Sequence, residues 1–358
     1  MSDTTSPSLD TDVFLVGAGP IGIELAVVLE RLGVPYVHVD EGRIGETIAR
    51  FPRQVRFFSS PERIAISGVA LQTVNQEKAS REEYLAYLRG VVEQFDLAIR
   101  THERVESIER RPDGRFVARS TRHGETRVTT ARSVVLAIGG MHSPRTLGIP
   151  GEDLPHVSHY FDEPHLYCRE RLVIVGGRNS AAEAVVRCVR AGARVTLSYR
   201  GEKLDATHVK YWILPELEGL IRRKVVTFHP STVPVAIGQR AVRLASASGA
   251  GAGAPFDVPA DFVLLLTGYV MDTTLLENAG AELEGDARKP RLDSDTMMTT
   301  VPNLYVAGVA VAGTQRGYRL FIENCHPHVA KIVKSITGQS PPPGLVNDAV
   351  TRFDLPES

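Results

Sequence analysis

Three glycines, Gly17, Gly19 and Gly22, have the spacing of a turn that binds a dinucleotide. An apolar run at residues 13–16 precedes them, and a helical pattern follows. In such a turn the first glycine permits the tight bend, the second lets the backbone approach a pyrophosphate, and the third lets the helix pack closely. Asp40, 18 residues beyond Gly22, would accept hydrogen bonds from ribose hydroxyls. The sequence therefore predicts a dinucleotide site here.

A second turn of the same kind lies between an apolar run at residues 172–175 and a helical pattern at 182–190. Arg178 stands where the second glycine of the pattern should be, which makes close backbone approach harder. The next strand ends at Arg200 rather than at an acid. Arginine suits the 2′-phosphate of NADPH, and Lys203 would add a second charge. A solvated surface arginine is the alternative interpretation.

The repeat predicts an α/β protein with two Rossmann-like, three-layer dinucleotide-binding domains. Apolar strands that end at glycine recur at residues 134–139, 262–268 and 304–308. We expect an FAD domain at residues 1–154 and 287–358, with an NADPH domain at 155–286 inserted into it. This is the layout of flavin reductases that take hydride from a nicotinamide. Residues 1–11, residues 245–254 and the tail from Pro341 are predicted to be a loose end, a flexible hairpin tip and a loosely packed arm, respectively.

Composition excludes several other classes of protein. Lys plus Arg number 41 against 42 Asp plus Glu, so nothing favours nucleic acid or an anionic membrane. No apolar run is long enough to span a bilayer. Three cysteines without a Cys-x-x-Cys pair indicate a reducing cytoplasm and no disulfide framework. His156, His159 and His165 cluster without acids or cysteines at ligand spacing, so hydrogen bonding is expected there and no metal site is predicted.

Longer strings of residues carry a family resemblance. The most specific are Trp212-Ile213-Leu214-Pro215-Glu216 and Phe321-Ile322-Glu323-Asn324, with Phe57-Phe58-Ser59-Ser60, Pro150-Gly151-Glu152-Asp153-Leu154-Pro155 and Gly176-Gly177-Arg178-Asn179-Ser180 beside them. Over nearly its whole length the chain resembles the bacillithiol-disulfide reductase (YpdA-type) family, a branch of the thioredoxin-reductase-like flavoproteins. The resemblance implies NADPH-dependent, FAD-mediated reduction of a low-molecular-weight thiol disulfide, or of a small redox protein that carries it.

Other activities of the same fold stay open at this point. A ferredoxin or flavodoxin reductase needs no cysteine, and a flavoprotein that reduces quinone or oxygen is a further alternative. A flavin monooxygenase and a non-catalytic redox sensor are less favoured. A homo-oligomer is possible.

The motifs and the resemblance together give two sets of expected cofactor contacts. The residues expected to hold FAD are Gly17, Gly19, Pro20, Ile21, Gly22, Asp40, Glu41, Ser59, Ser60, Gly139, Gly308, Ile322 and Glu323. The residues expected to hold NADPH are Gly176, Gly177, Arg178, Asn179, Ser180, Arg200 and Lys203.

The chain departs from the family at two positions. Ile21 replaces the cysteine that family members carry after the proline of the first turn, and Cys325-His326 follows Asn324 where glycine is usual. Cys325 precedes a predicted helix whose positive end would lower a thiol pKa, and His326 or His328 would stabilise the thiolate. Cys325 and His328 are therefore candidate catalytic residues. The alternative is that Cys325 is a small residue tolerated beside the flavin.

Overall fold

The computed structural model describes residues 9–248, 253–315, 317 and 319–349. The chain divides into two compact units. Among the described residues, the first unit comprises those within 9–50, 54–143 and 270–349, and the second comprises those within 51–53 and 144–269. The units therefore change at 143/144 and 269/270, whereas the sequence placed the boundaries at 154/155 and 286/287.

The helices and strands follow the alternation that the sequence predicts. The strands are β1 (Leu9–Val16), β2 (Tyr36–Val39), β3 (Ile99–Arg100), β4 (Glu103–Arg110), β5 (Phe116–Arg122), β6 (Glu125–Leu136), β7 (Ser143–Pro144), β8 (Val157–Ser158), β9 (Arg171–Val175), β10 (Arg194–Ser198), β11 (Thr227–His229), β12 (Thr232–Ile237), β13 (Ala241–Ser246), β14 (Phe256–Pro259), β15 (Phe262–Leu265), β16 (Tyr269–Val270), β17 (Leu283–Glu284), β18 (Lys289–Pro290) and β19 (Leu304–Val306). The α-helices are α1 (Pro20–Arg31), α2 (Glu46–Ala49), α3 (Pro61–Ile64), α4 (Arg81–Gln94), α5 (Asn179–Arg190), α6 (Leu214–Arg222), α7 (Thr274–Asn278) and α8 (His326–Thr337). Short 3-10 turns lie at Pro164–Tyr167, Gly308–Ala312 and Ile322–Asn324.

The first unit is built on a seven-stranded sheet of order β3-β2-β1-β6-β5-β4, with β19 paired to β6. Strands β3, β2, β1, β6 and β19 run parallel, while β4 and β5 extend the sheet as an antiparallel hairpin. Because β1, β6 and β19 are parallel neighbours, their carboxyl ends meet at one edge of the sheet. In open α/β sheets ligands bind at this edge.

The second unit repeats this plan with a five-stranded sheet of order β11-β10-β9-β15-β8, in which all the strands are parallel. A three-stranded antiparallel sheet, β12-β13-β14, completes the unit. Strands β9 and β15 are apolar and buried on both faces, as parallel strands between two layers require. The predicted α/β class is confirmed. In the part of the chain described here, no helix is both long and apolar enough to cross a membrane.

All three predicted loose segments are only partly described, because residues 1–8 and 350–358 lie outside the described residues, as does part of the hairpin tip. The described parts of the two ends are packed. Residues 9–11 extend β1 and pair with residues 129–131 of β6. The arm after Pro341 is packed through residue 349, where Asn347 donates hydrogen bonds from Nδ2 to the carbonyls of Glu62 and Ala65 at 2.9 and 2.6 Å. The sequence-based prediction was wrong there, because backbone carbonyls exposed by α3 bind the asparagine. Part of the predicted hairpin tip, residues 249–252, lies outside the described residues.

Candidate functional site

The glycines of the first turn (Gly17–Gly22) have three different surroundings. Gly17 has a φ of +108°, and a Cβ there would overlap the carbonyl oxygen of Ala137. A Cβ on Gly22 would overlap the carbonyl oxygen of Gly17. A Cβ on Gly19, in contrast, would meet no described atom within 4 Å. Gly17 and Gly22 are therefore required by the fold, whereas Gly19 leaves open space at the start of α1.

Two side chains from β2 and its end hold the first turn in place. His38 is fully buried, and its Nε2 donates a hydrogen bond to the carbonyl oxygen of Gly17 at 2.9 Å. Burial lowers the pKa of His38 to about 4, so the imidazole is neutral at physiological pH. Asp40 accepts the N–H of Ala18 at 2.6 Å and the N–H of Gly42 at 2.8 Å. Burial raises the pKa of the Asp40 carboxyl and outweighs these two bonds, which lower it.

Asp40 therefore has a structural task that its motif did not reveal. Each carboxylate oxygen keeps a lone pair after accepting one backbone N–H, so the group can still accept a ribose hydroxyl. The neighbouring Glu41 lies 3.4 Å from Nδ1 of His142, and this contact is the main cause of a lowered pKa at Glu41. Asp40 and Glu41 were both predicted to contact FAD, but they have different partners in the structure: Asp40 binds two backbone N–H groups, and Glu41 contacts His142.

The ends of the parallel strands bring further predicted residues to the first turn. Gly308, which follows β19, has a φ of +71°, and a Cβ there would lie 3.6 Å from Cβ of Ile21. Gly139, which follows β6, has the same φ, and a Cβ there would meet open space. Ile21 is buried with 6% of its surface exposed. At the position where family members carry a cysteine, this chain therefore has a buried apolar side chain at the edge of the sheet.

The Ile322–Asn324 turn packs against α3, whose N-cap is Ser60. The Asn324 side chain fixes the shape of this turn: Oδ1 accepts the N–H of Phe321, and Nδ2 donates to the carbonyl of Arg319, both at 2.8 Å. Oε2 of Glu323 is buried and has no hydrogen-bond partner among the described residues. A buried acceptor without a donor indicates a missing partner.

The surroundings of Cys325 do not favour a thiolate. Cys325 is fully buried, and burial together with the charge of Glu24 raises its thiol pKa to about 12. Desolvation therefore outweighs the helix N-terminus. His328 is also buried, and burial lowers its pKa to about 4, so it carries no charge that would stabilise a thiolate. Neither residue is prepared for thiol chemistry.

The sequence-based reasoning missed a buried pair that lies beside this cysteine. Nδ1 of His326 lies 2.7 Å from Oε2 of Glu24, which is in the middle of α1. Nε2 of His326 lies 3.0 Å from the carbonyl oxygen of Arg63. The one available signal was a glutamate inside the apolar helical pattern of α1, where residues 21–29 are all buried.

The second turn (Gly176–Ala181) has the same backbone plan but a different surface. A Cβ on Gly176 would lie 2.6 Å from the carbonyl oxygen of Leu266, and one on Gly177 would overlap the ring of Tyr199. Arg178 is the N-cap of α5, the place that Gly19 takes at α1. Oδ1 of Asn179 accepts the N–H of Lys210 at 2.9 Å. The N-cap of this turn therefore carries a cationic side chain, Arg178, whereas the N-cap of the first turn, Gly19, has no side chain.

Arg200 and Lys203 are both exposed just after β10. Lys203 lines a depression of about 610 Å³ beside Tyr199. The other residues that line it are Glu202, Leu204, Asp205, Ala206, Leu214 and Glu218. Both cations are thus available to a ligand, although three carboxylates share the surroundings of Lys203.

Histidines 156 and 159 have structural contacts. His156 bonds to the carbonyl oxygen of Gly238 at 3.1 Å, and Nε2 of His159 lies 3.4 Å from Glu152. Glu152 also accepts the N–H groups of Leu147 and Gly148 at 2.6 and 2.7 Å. In the described ranges, His, Cys, Asp and Glu side chains form no group of three or more that would hold a metal ion.

Comparison with known proteins agrees with this geometry. The family model for pyridine nucleotide-disulphide oxidoreductases matches residues 14–308. The chain is 33% identical to bacilliredoxin reductase Bdr of Bacillus subtilis, over 90% of this chain and 96% of that protein. It superposes on bacillithiol disulfide reductase Bdr (YpdA) of Bacillus cereus with a TM-score of 0.86 and 32% identity, covering 92% of this chain and 99% of the other. Thioredoxin reductase of T. acidophilum shares the fold, with a TM-score of 0.69 and 20% identity, covering 91% and 97% of the two chains.

The two glycine turns and these similarities define an NAD(P)H-dependent flavoprotein oxidoreductase with a thioredoxin-reductase-like fold. The chain belongs to the pyridine nucleotide-disulphide oxidoreductase family, and within it to the bacillithiol-disulfide reductase (YpdA-type) family. Membership of this family implies FAD and NADPH as the cofactors.

The burial of the cysteines leads to a testable prediction. Cys168 is exposed, whereas Cys188 and Cys325 are buried with thiol pKa values raised to about 12 by desolvation. Because the thiolate is the reactive species, we expect the native protein to titrate one fast thiol per chain with an aromatic disulfide reagent, and the denatured protein to titrate all three. Cys168→Ser should remove the fast thiol. A fast thiol that disappears in Cys325→Ser instead would contradict the assignment.

Proposed function

We propose that this chain reduces the disulfide of bacillithiol, or of a closely similar low-molecular-weight thiol, with NADPH as the electron donor. The similarity to bacillithiol-disulfide reductases over nearly the whole chain carries this proposal. Bound FAD would supply hydride transfer from NADPH and the delivery of two electrons to the acceptor. We assign FAD to the first unit and NADPH to the second.

The first turn has the features that an FAD pyrophosphate requires. The N-terminus of α1 supplies N–H groups without intrahelical acceptors and the positive end of the helix dipole, and Gly19 leaves the approach open. Asp40, with a free lone pair on each oxygen, is suited to the ribose hydroxyls. The buried Oε2 of Glu323 lacks a donor among the described residues, and an N–H or O–H of FAD would supply one. The residues present therefore fit the cofactor.

The second turn fits a nucleotide that binds and leaves. Arg178 at the N-cap of α5 places a cation beside the helix N-terminus, where phosphate binds. Arg200 and Lys203, both exposed after β10, are suited to the 2′-phosphate that distinguishes NADPH from NADH. Exposed side chains hold a ligand more weakly than buried ones, because solvent screens their charges.

We further propose that neither Cys188 nor Cys325 takes part in the reaction. Ile21 replaces the family's cysteine, Cys325 is a buried thiol, and Cys188 lies in the apolar core of the second unit. A reduction that needs no thiol of the enzyme also suits a ferredoxin or another small redox protein. Such an acceptor is therefore the second candidate.

The first test asks where FAD binds. Gly19→Val adds a side chain that contacts no described protein atom, at a φ of −78° and ψ of 178° that valine readily adopts. We expect this variant to fold but to purify without its yellow flavin, because the side chain occupies the approach to the pyrophosphate. Gly90→Val, which also meets no atom within 4 Å, is the matched control and should stay yellow. Full flavin occupancy in Gly19→Val would refute the assignment.

The second test concerns the choice of nucleotide. Arg200→Ala should raise the KM for NADPH about tenfold, the effect of one charge-assisted hydrogen bond, and should leave the KM for NADH nearly unchanged. Arg223→Ala removes an exposed arginine at the end of α6 and serves as the control. Steady-state kinetics with both nucleotides measures the ratio. Equal use of NADPH and NADH by the unaltered protein would exclude the proposed role of Arg200.

The third test concerns the acceptor. Purified protein with NADPH should consume bacillithiol disulfide, measured as NADPH oxidation and as appearance of free thiol. Cys325→Ser should keep turnover within about twofold of the unaltered protein, since a buried thiol with a raised pKa is no nucleophile. Collapse of disulfide reduction in that variant, with flavin reduction intact, would restore Cys325 to the mechanism. Reduction of a ferredoxin without reduction of the disulfide would favour the second candidate.

A further inference from the structure

The contacts of His326 define its protons. The carbonyl oxygen of Arg63 can only accept a hydrogen bond, so Nε2 of His326 must carry a hydrogen. Nδ1 faces Oε2 of Glu24 at 2.7 Å, a distance typical of a charge-assisted bond. A single proton lies between these two atoms, and it belongs either to an imidazolium beside a carboxylate or to a carboxylic acid beside a neutral imidazole.

The other oxygen of Glu24 favours the ionised pair. Oε1 accepts the N–H of Asn347 at 3.0 Å, and the N–H of Ser67 lies 3.5 Å away. Backbone N–H groups that donate to a carboxylate stabilise its charged form. Burial lowers the pKa of His326, but the hydrogen bond and the charge of Glu24 outweigh it, so that the pKa lies above its usual value. Glu24 is fully buried and His326 is 1% exposed, so water stabilises neither group.

The pair also connects four segments of the first unit. Glu24 belongs to α1, whose N-terminus is the first glycine turn, and His326 is the first residue of α8. The carbonyl of Arg63 belongs to α3, and Asn347 belongs to the packed C-terminal arm. The Ile322–Asn324 turn precedes His326 by one residue and packs against α3. Fixing His326 therefore fixes the end of that turn relative to α1.

We propose that Glu24 and His326 form a buried carboxylate–imidazolium pair that positions the Ile322–Asn324 turn against α1 for FAD binding. Both are positioning residues. The proposal rests on the assignment of FAD to the first unit. The other titratable groups around the pair are Arg63 on α3, Tyr84 and Tyr87 on α4, Glu323 and Cys325 before α8, and His328 and Lys331 on α8.

The protonation state can be measured without the cofactor. Nitrogen NMR of ¹⁵N-histidine-labelled protein, with His326→Ala to assign the signal, should show both ring nitrogens of His326 still protonated at a pH above the usual histidine pKa of about 6.5. In Glu24→Gln, the amide can donate to Nδ1, so that His326 should become neutral with its proton on Nε2. A neutral imidazole in the unaltered protein would overturn the ionised pair.

Flavin binding tests the positioning role. His326→Ala leaves a buried carboxylate without its cation, and we expect the Kd for FAD to rise at least about tenfold. Glu24→Gln keeps both hydrogen bonds and should stay within about threefold of the unaltered protein. Val329→Ala removes a fully buried side chain from α8 and controls for lost stability, since it should lower Tm without raising that Kd.

The outcomes separate this inference from the proposed function. If His326→Ala binds FAD as tightly as Val329→Ala does, the pair is structural only and the inference fails. If Gly19→Val keeps its flavin, the FAD assignment itself fails, whatever the state of His326. The positioning role is supported by three results together. His326 is protonated on both ring nitrogens, His326→Ala binds FAD more weakly, and Glu24→Gln binds FAD nearly as tightly as the unaltered protein.

Discussion

The shape of the first turn depends on the carbonyl group of Gly17, which Gly22 and His38 both approach closely. Gly22 passes so close to it that any side chain on Gly22 would overlap its oxygen, and the buried Nε2–H of His38 donates to the same oxygen at 2.9 Å. In the same peptide group, the N–H of Ala18 donates a hydrogen bond to Asp40 at 2.6 Å. Strand β1, helix α1 and strand β2 are thereby joined at one turn. The N–H groups in the first turn of α1 after Pro20 have no intrahelical acceptor, and they follow the open space at Gly19.

The second unit meets the same requirement with different residues. In the second turn, Ala181 takes the position that Gly22 takes in the first. A Cβ on Gly176 would lie 2.6 Å from the carbonyl oxygen of Leu266 and 3.0 Å from Cβ of Ala181, so Gly176 is required by the fold as Gly17 is. The ring of Tyr199 covers Gly177, and Arg178 replaces the bare N-cap. Backbone amides in a closed turn suit a cofactor that stays, whereas exposed charged side chains suit one that exchanges. The two turns thus share a topology but differ in chemistry.

What could be predicted from sequence was local in the chain. Glycine spacing and apolar runs predicted both turns, their strands and their helices, because each depends on residues within about one βαβ unit. Glu24 and His326, in contrast, are 302 residues apart, and no local pattern joins them. The same holds for Asn347, whose packing depends on carbonyls near α3, and for His38, whose partner is visible only once β2 lies beside β1.

Cys325 shows why a local argument about a thiol can fail. The start of a helix stabilises a thiolate by a fraction of an elementary charge, whereas burial removes the solvation of a full charge. Glu24 adds a second penalty, because its carboxylate repels a thiolate, and Nδ1 of His326 already bonds to Glu24. The Glu24–His326 contact therefore works against a reactive Cys325. Ile21 stands in place of the family's cysteine and Cys325 is a buried thiol, which supports the proposal that the redox chemistry of the first unit comes from the cofactors.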